Sequence, residues 1–216
     1  MFQSNLYRLS VFILFYVPFL TSGQKKETSD KKLKKIGIVF NRAQQNNLLF
    51  KDKDYDYRTN TLKAQLFYLL RKGEKWDLNL IVQPQLQAAK HQLLNPSFMT
   101  PDIPNFEALR DRFTREKSIG LYMFELGFQW RTQLLKLLFF ETTLGLGAGY
   151  IDKESERLAK GFTFIENLSI GVVYSFKSSE LYLGSQAGHI SNFDTQEPND
   201  GYNIFGFEIG YRIALF

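Results

Sequence analysis

The closing stretch Phe205-Gly206-Phe207-Glu208-Ile209-Gly210-Tyr211-Arg212-Ile213-Ala214-Leu215-Phe216 decides the fold. Its odd positions carry Phe, Phe, Ile, Tyr, Ile and Leu, and its even positions carry Gly, Glu, Gly and Arg before Ala214. Alternation with a period of two is the pattern of a strand with two unlike faces. One face is continuous and bulky, and the other holds charge or no side chain at all. A soluble sandwich would bury its bulky face against a second sheet. Large apolar residues turned outward over a polar interior instead indicate a transmembrane barrel. The chain also closes on an aromatic residue, which resembles the terminal signal that outer-membrane barrels present to the barrel-assembly machinery.

Working back from this strand, the same alternation recurs seven times. Its apolar sets are Ile36, Ile38 and Phe40; Leu62 to Leu70; Trp76 to Leu86; Tyr122 to Trp130; Phe140 to Tyr150; Phe162 to Tyr174; and, with the phase moved to odd numbers, Leu181 and Leu183. Eight strands result. Arg71–Lys75, Thr132–Leu135 and Lys177–Ser179 read as short turns. Gln44–Asn60, Lys90–Lys117, Asp152–Lys160 and Asn192–Gly201 read as long polar loops. Short periplasmic turns alternating with long extracellular loops are expected of an outer-membrane barrel. Trp76 and Trp130 then fall at the periplasmic rim, in an aromatic belt. Glu125, Glu141, Glu208 and Arg212 fall on the inner faces as a filled polar interior. The expected fold is all-β: an eight-stranded antiparallel barrel in the outer membrane of a Gram-negative bacterium.

The first residues have a different character. Met1–Arg8, the apolar run Leu9–Leu20 and the small polar Thr21-Ser22-Gly23 have the order of a secretory signal. The expected organisation is a cleaved signal at 1–23, a flexible Lys-rich lead-in at 24–34 and the barrel at 35–216. Among 216 residues there is no cysteine, which excludes a lipoprotein anchor, disulfides and thiolate metal sites. The net charge of +5 comes without a basic helix or nucleic-acid motif, so no nucleic-acid partner is expected and outer-membrane lipids are.

Chemistry is concentrated near the C-terminus. His189 and Ser191 lie two apart at the extracellular end of strand seven, on its lipid-facing side. His189 is a candidate general base and Ser191 a candidate nucleophile, placed where an ester in the outer leaflet could reach them. The ordinary alternative is a polar rim where the strand leaves the membrane. Glu166 shares the lipid-facing side of strand six. Closing the hairpin at Lys177–Ser179 puts it opposite His189 or Ser191, which makes it an alternative catalytic acid or else a solvated headgroup-zone residue.

His189-x-Ser191-Asn192, a short loop, Pro198-Asn199-Asp200-Gly201 and a last strand ending in an aromatic residue together resemble the PagL-type lipid A 3-O-deacylases of Gram-negative outer membranes. The resemblance implies an eight-stranded barrel with its active site on the outer surface. It also implies a serine esterase, free of cofactor and metal, that removes the 3-O-linked acyl chain of lipid A in lipopolysaccharide. By resemblance Ser191 is the nucleophile and His189 the base, and the backbone N–H of Asn192 and the side chain of Asn199 form the oxyanion hole. The family places a Glu twelve residues after the serine to orient the histidine, whereas this chain has Asn203 there. An Asn carbonyl can fix the imidazole tautomer but brings no charge. Two other functions fit a small barrel: a non-enzymatic role in adhesion or envelope stability, and an outer-membrane phospholipase.

Overall fold

The computed structural model describes residues 33–215, so the expected signal and most of the expected lead-in lie outside the described residues. Eight antiparallel strands close into a barrel in sequence order: β1 (Leu33–Gln44), β2 (Tyr55–Lys72), β3 (Trp76–Leu93), β4 (Lys117–Leu135), β5 (Leu138–Ile151), β6 (Gly161–Phe176), β7 (Ser179–Ser191) and β8 (Tyr202–Ala214). β8 closes the ring on β1, with Ile38 opposite Tyr211 and Arg42 opposite Phe207. Closure leaves no unpaired strand edge, a requirement for any sheet that crosses lipid.

The outward faces carry the bulky apolar sets read from the sequence. Ile38, Leu62, Leu86, Phe124, Phe128, Leu146, Ile170, Leu183 and Ile209 are all exposed. Trp76 and Trp130 stack at 4.6 Å beside the β2–β3 turn.

The inward faces form a connected polar interior. Glu141 accepts from Arg131 (3.0 Å) and Arg212 (2.6 Å). Arg131 continues to Glu180 (2.9 Å), and Glu180 to Lys35 (2.7 Å). Lys63 pairs with Glu208 at 2.7 Å. Glu125 accepts amide hydrogen bonds from Gln83, Gln85 and Asn167. Buried charge costs several kcal/mol unless it is paired, and here each of these groups has a partner. Gly145 makes room for one of them, because a Cβ there would overlap the Glu125 carboxylate.

Above this layer the mouth at the long-loop end of the barrel is plugged. Tyr202, Tyr57 and His91 stack in sequence, with centroids 4.0 and 4.1 Å apart. The β5–β6 loop enters the mouth, placing Ser155 Oγ 2.6 Å from Tyr57 Oη and Glu156 Oε2 2.6 Å from His91 Nε2. The β3–β4 connection lies over the plug with a short helix, α1 (Phe106–Thr114), whose Phe113 is buried in the same apolar cluster.

Three details differ from the sequence reading. The first strand, read from the alternation at Ile36–Phe40, spans Leu33–Gln44. The loops expected at Gln44–Asn60 and Lys90–Lys117 shrink to residues 45–54 and 94–116, and the turn expected at Thr132–Leu135 becomes residues 136–137. The strands run on past the apolar band, so their outward residues turn polar (Arg58, Asn60, Lys90) while Tyr55, Tyr57 and His91 stay buried inside. Helix α1 was not anticipated from the sequence. It lies within the stretch Lys90–Lys117 that reads as a loop, and it is held by packing on the barrel mouth.

Candidate functional site

Strands β6, β7 and β8 bring the site together at the loop end of the barrel. In the β6–β7 ladder Glu166 is opposite His189, and Phe164 is opposite Ser191. In the β7–β8 ladder His189 is opposite Asn203. His189, Ser191 and Asn203 are half-buried on the outer wall, and Glu166 is exposed beside them.

His189 Nδ1 lies 2.8 Å from Asn203 Oδ1. A carbonyl oxygen only accepts, so Nδ1 carries the hydrogen and Nε2 is left as the acceptor nitrogen. That tautomer can take a proton from a hydroxyl. Glu166, although opposite His189, makes no hydrogen bond to the ring. Thr163 Oγ1 donates to the Ser191 carbonyl at 2.8 Å, which fixes the backbone of the serine.

The two candidate oxyanion donors are bonded to each other in this structure. Asn192 N–H donates to Asn199 Oδ1 at 2.7 Å, and Asn199 Nδ2 donates to Asp194 Oδ1 at 2.7 Å. The Asn192 N–H is therefore occupied as the structure stands, and it can meet a substrate oxyanion only if the Asn199 side chain turns away. Asn192 is itself buried, with Nδ2 donating to the Gln196 carbonyl at 2.8 Å.

Two residues that the sequence did not single out for a role hold this arrangement. Gly201 has φ +62°, and a Cβ on it would overlap the Ile190 carbonyl. That Cβ would also stand 3.1 Å from His189 Cε1 and 3.2 Å from Ser191 Cβ, so the glycine leaves the space between the two side chains open. Arg157, in the β5–β6 loop, fastens it there. Its carbonyl accepts from the N–H groups of Asp200 (2.8 Å) and Gly201 (3.1 Å), and its Nε donates to the Gly201 carbonyl at 2.9 Å. The guanidinium also sits over the Tyr55 ring at 4.4 Å. An isolated bridge between Leu158 and Asn199 extends the contact between the two loops. Gly201 was visible in the sequence as part of a turn. Arg157 gave no signal, because its role arises only where two loops distant in sequence meet.

An aromatic ledge flanks the serine. The Phe164 ring meets Phe162 edge to face at 4.7 Å and Phe193 at 4.5 Å. A half-exposed histidine, a hydroxyl and an apolar ledge on a lipid-facing wall are suited to an ester that bears an alkyl chain. Among the described residues no group of three or more His, Cys, Asp or Glu side chains is placed to hold a metal ion.

Residues 115–212 match the family model of lipid A 3-O-deacylase (PagL). The crystal structure of the outer membrane enzyme PagL superposes with a TM-score of 0.51 at 13% identity, covering 84% of this chain and 99% of that one. The crystal structure of Neisserial surface protein A gives a TM-score of 0.48 at 12% identity, covering 84% and 97%. No curated protein sequence matches significantly. The fold is that of the outer-membrane barrels. From β4 to β8, the part that carries every candidate site residue, the chain matches the lipid A 3-O-deacylase (PagL) family.

Proposed function

We propose that the protein is an outer-membrane lipid A deacylase that removes the 3-O-linked acyl chain by a serine esterase mechanism, acting on lipid in the outer leaflet. One observation carries the reading. His189 donates from Nδ1 to Asn203 and keeps Nε2 free on the outward face that also bears Ser191. The family match over residues 115–212 supports it.

The chemistry follows from the tautomer. Nε2 of His189 takes the Ser191 hydroxyl proton as Oγ attacks the ester carbonyl carbon. The carbonyl oxygen becomes an oxyanion, met by the Asn192 N–H and the rotated Asn199 amide. As the carbon–oxygen bond to the sugar breaks, the imidazolium returns its proton to the sugar oxygen. Water then repeats the sequence on the acyl-serine and releases the fatty acid. Asn203 holds the ring through a neutral carbonyl, so it fixes orientation without stabilising imidazolium by charge. The Phe162–Phe164–Phe193 ledge offers the departing acyl chain an apolar surface.

Purified barrel in detergent is given lipid A in one reaction and diacyl phospholipid in another, and the released acids are identified by mass spectrometry. The proposal expects 3-O-linked acyl chains from lipid A alone, and none from Ser191→Ala. Release from phospholipid with lipid A left intact favours the phospholipase reading, and release from neither leaves a barrel without esterase activity.

A further inference from the structure

A second feature lies on the same outer wall, one step from the site. Strands β8, β1, β2, β3 and the start of β4, with the β1–β2 loop, enclose a groove of about 800 Å³ at their loop ends. Phe205 and Phe207 line one side, and small residues such as Ala88 and Ser118 line the groove elsewhere. Arg42, Arg58 and Lys90 also line it. Phe205 follows Asn203 on the outward face of β8, about 7 Å along the strand. The groove therefore adjoins the residue that holds His189.

The three cations are not equivalent. Lys90 pairs with Glu116 at 2.8 Å, and Arg58 pairs with Glu116 and, at 2.9 Å, with Asp56. Arg42 has no carboxylate within ion-pairing distance among the described residues. It is exposed on the outward face of β1, between Phe40 and Gln44. It stands just above the apolar band, beside the outward Gln44 and Asn60, where no carboxylate competes with an incoming anion. A guanidinium binds phosphate in a two-pronged geometry that an ammonium cannot reproduce.

We infer that this groove is a headgroup subsite, in which Arg42 binds a phosphate of the same outer-leaflet glycolipid whose ester lies at Ser191. The inference rests on the proposed function for its substrate, but not for its anion-binding chemistry. Phe205 and Phe207 border the acyl region beside the phosphate, and Lys90 adds a second, partly neutralised cation.

Binding is measured with Ser191→Ala protein in detergent, titrated with phosphorylated lipid A and with the same lipid after dephosphorylation. The expected result is about tenfold tighter binding of the phosphorylated form, in line with one charged hydrogen-bonded contact. That preference should disappear in Ser191→Ala/Arg42→Gln and return in part in Ser191→Ala/Arg42→Lys. Heat-modifiable migration confirms that each variant is folded. A preference that persists without Arg42, or no preference in Ser191→Ala, overturns the subsite. Turnover separates the two claims. Wild-type deacylation with an Arg42-independent phosphate preference keeps the esterase and removes the subsite. An Arg42-dependent preference without turnover by the wild type keeps the subsite and removes the esterase.

Discussion

The two ends of the β7–β8 hairpin treat polar groups in opposite ways. At the turn end, Glu180 and Arg212 point inward and are joined through Arg131 and Glu141 into one ion-paired network. At the loop end, His189, Ser191 and Asn203 point outward, and the site is tied by one side-chain hydrogen bond within β7–β8 and by a loop clamped from next door. The inner network satisfies buried charge and so holds the barrel. The outer site leaves a basic nitrogen and a hydroxyl open, so it can do chemistry. The difference is one of facing: a shift of one residue along either strand would exchange the two sets.

The comparison can be broken most sharply at the loop end. Ser191→Ala and His189→Ala should each cut deacylation by roughly 10³-fold or more, since members of a nucleophile–base pair act as a unit. Neither change removes much packing, so heat-modifiable migration should stay as in the wild type. Near-wild-type turnover in either variant would remove the proposed mechanism.

Asn203 comes next. Asn203→Ala frees the imidazole and should cost roughly 10²-fold, whereas Asn203→Glu should retain or raise activity. Glu166→Gln should cost much less than Asn203→Ala, because the ring bonds to Asn203. The reverse order in the same assay would make Glu166 the orienting group.

Gly201→Ala tests the open space between histidine and serine. The residue has φ +62°, where a side chain costs about 1–2 kcal/mol, and the new methyl would press on His189 and Ser191. Turnover should fall about tenfold or more with only a modest change in unfolding midpoint. A variant with wild-type kcat would show that the spacing is not critical.

Glu141→Gln tests the opposite end. It leaves Arg131 and Arg212 with a neutral partner in a buried site, and should lower the stability of the barrel in urea titration by about 3–5 kcal/mol. This gives the smallest effect on turnover of the four, since Glu141 is buried inside the barrel on β5 and the site is on its outer wall. A large fall in kcat with little loss of stability would show that the two ends are coupled.

Much of this was legible in the chain because membrane strands write both faces into the sequence. The alternation Phe205 to Leu215 gave β8 its facing, and the odd phase of Leu181 and Leu183 carried His189 and Ser191 to the outer wall. The hairpin closure and the period of two put Glu166 opposite His189 or Ser191, and the register decides for His189. The extensions of β2 and β3 were not legible, since above the apolar band outward residues such as Asn60 and Lys90 resemble loop composition. Helix α1 is only nine residues long; its Phe106, Leu109 and Phe113, at i, i+3 and i+7, form one apolar stripe, of which Leu109 and Phe113 pack on the barrel mouth. Arg157 was invisible for a different reason: its backbone and its guanidinium act together on a loop more than 40 residues away. The mutual bond of Asn192 and Asn199 likewise depends on how the Asn192–Gly201 loop folds back on itself.

The most direct measurement is the mass of lipid A extracted from a Gram-negative host of known lipid A structure that expresses the wild-type chain or Ser191→Ala. The expected result is a loss of one 3-O-linked acyl chain with the wild type and unaltered lipid A with the variant at equal barrel content. Unaltered lipid A in both, or the same loss in both, contradicts a serine-dependent deacylase.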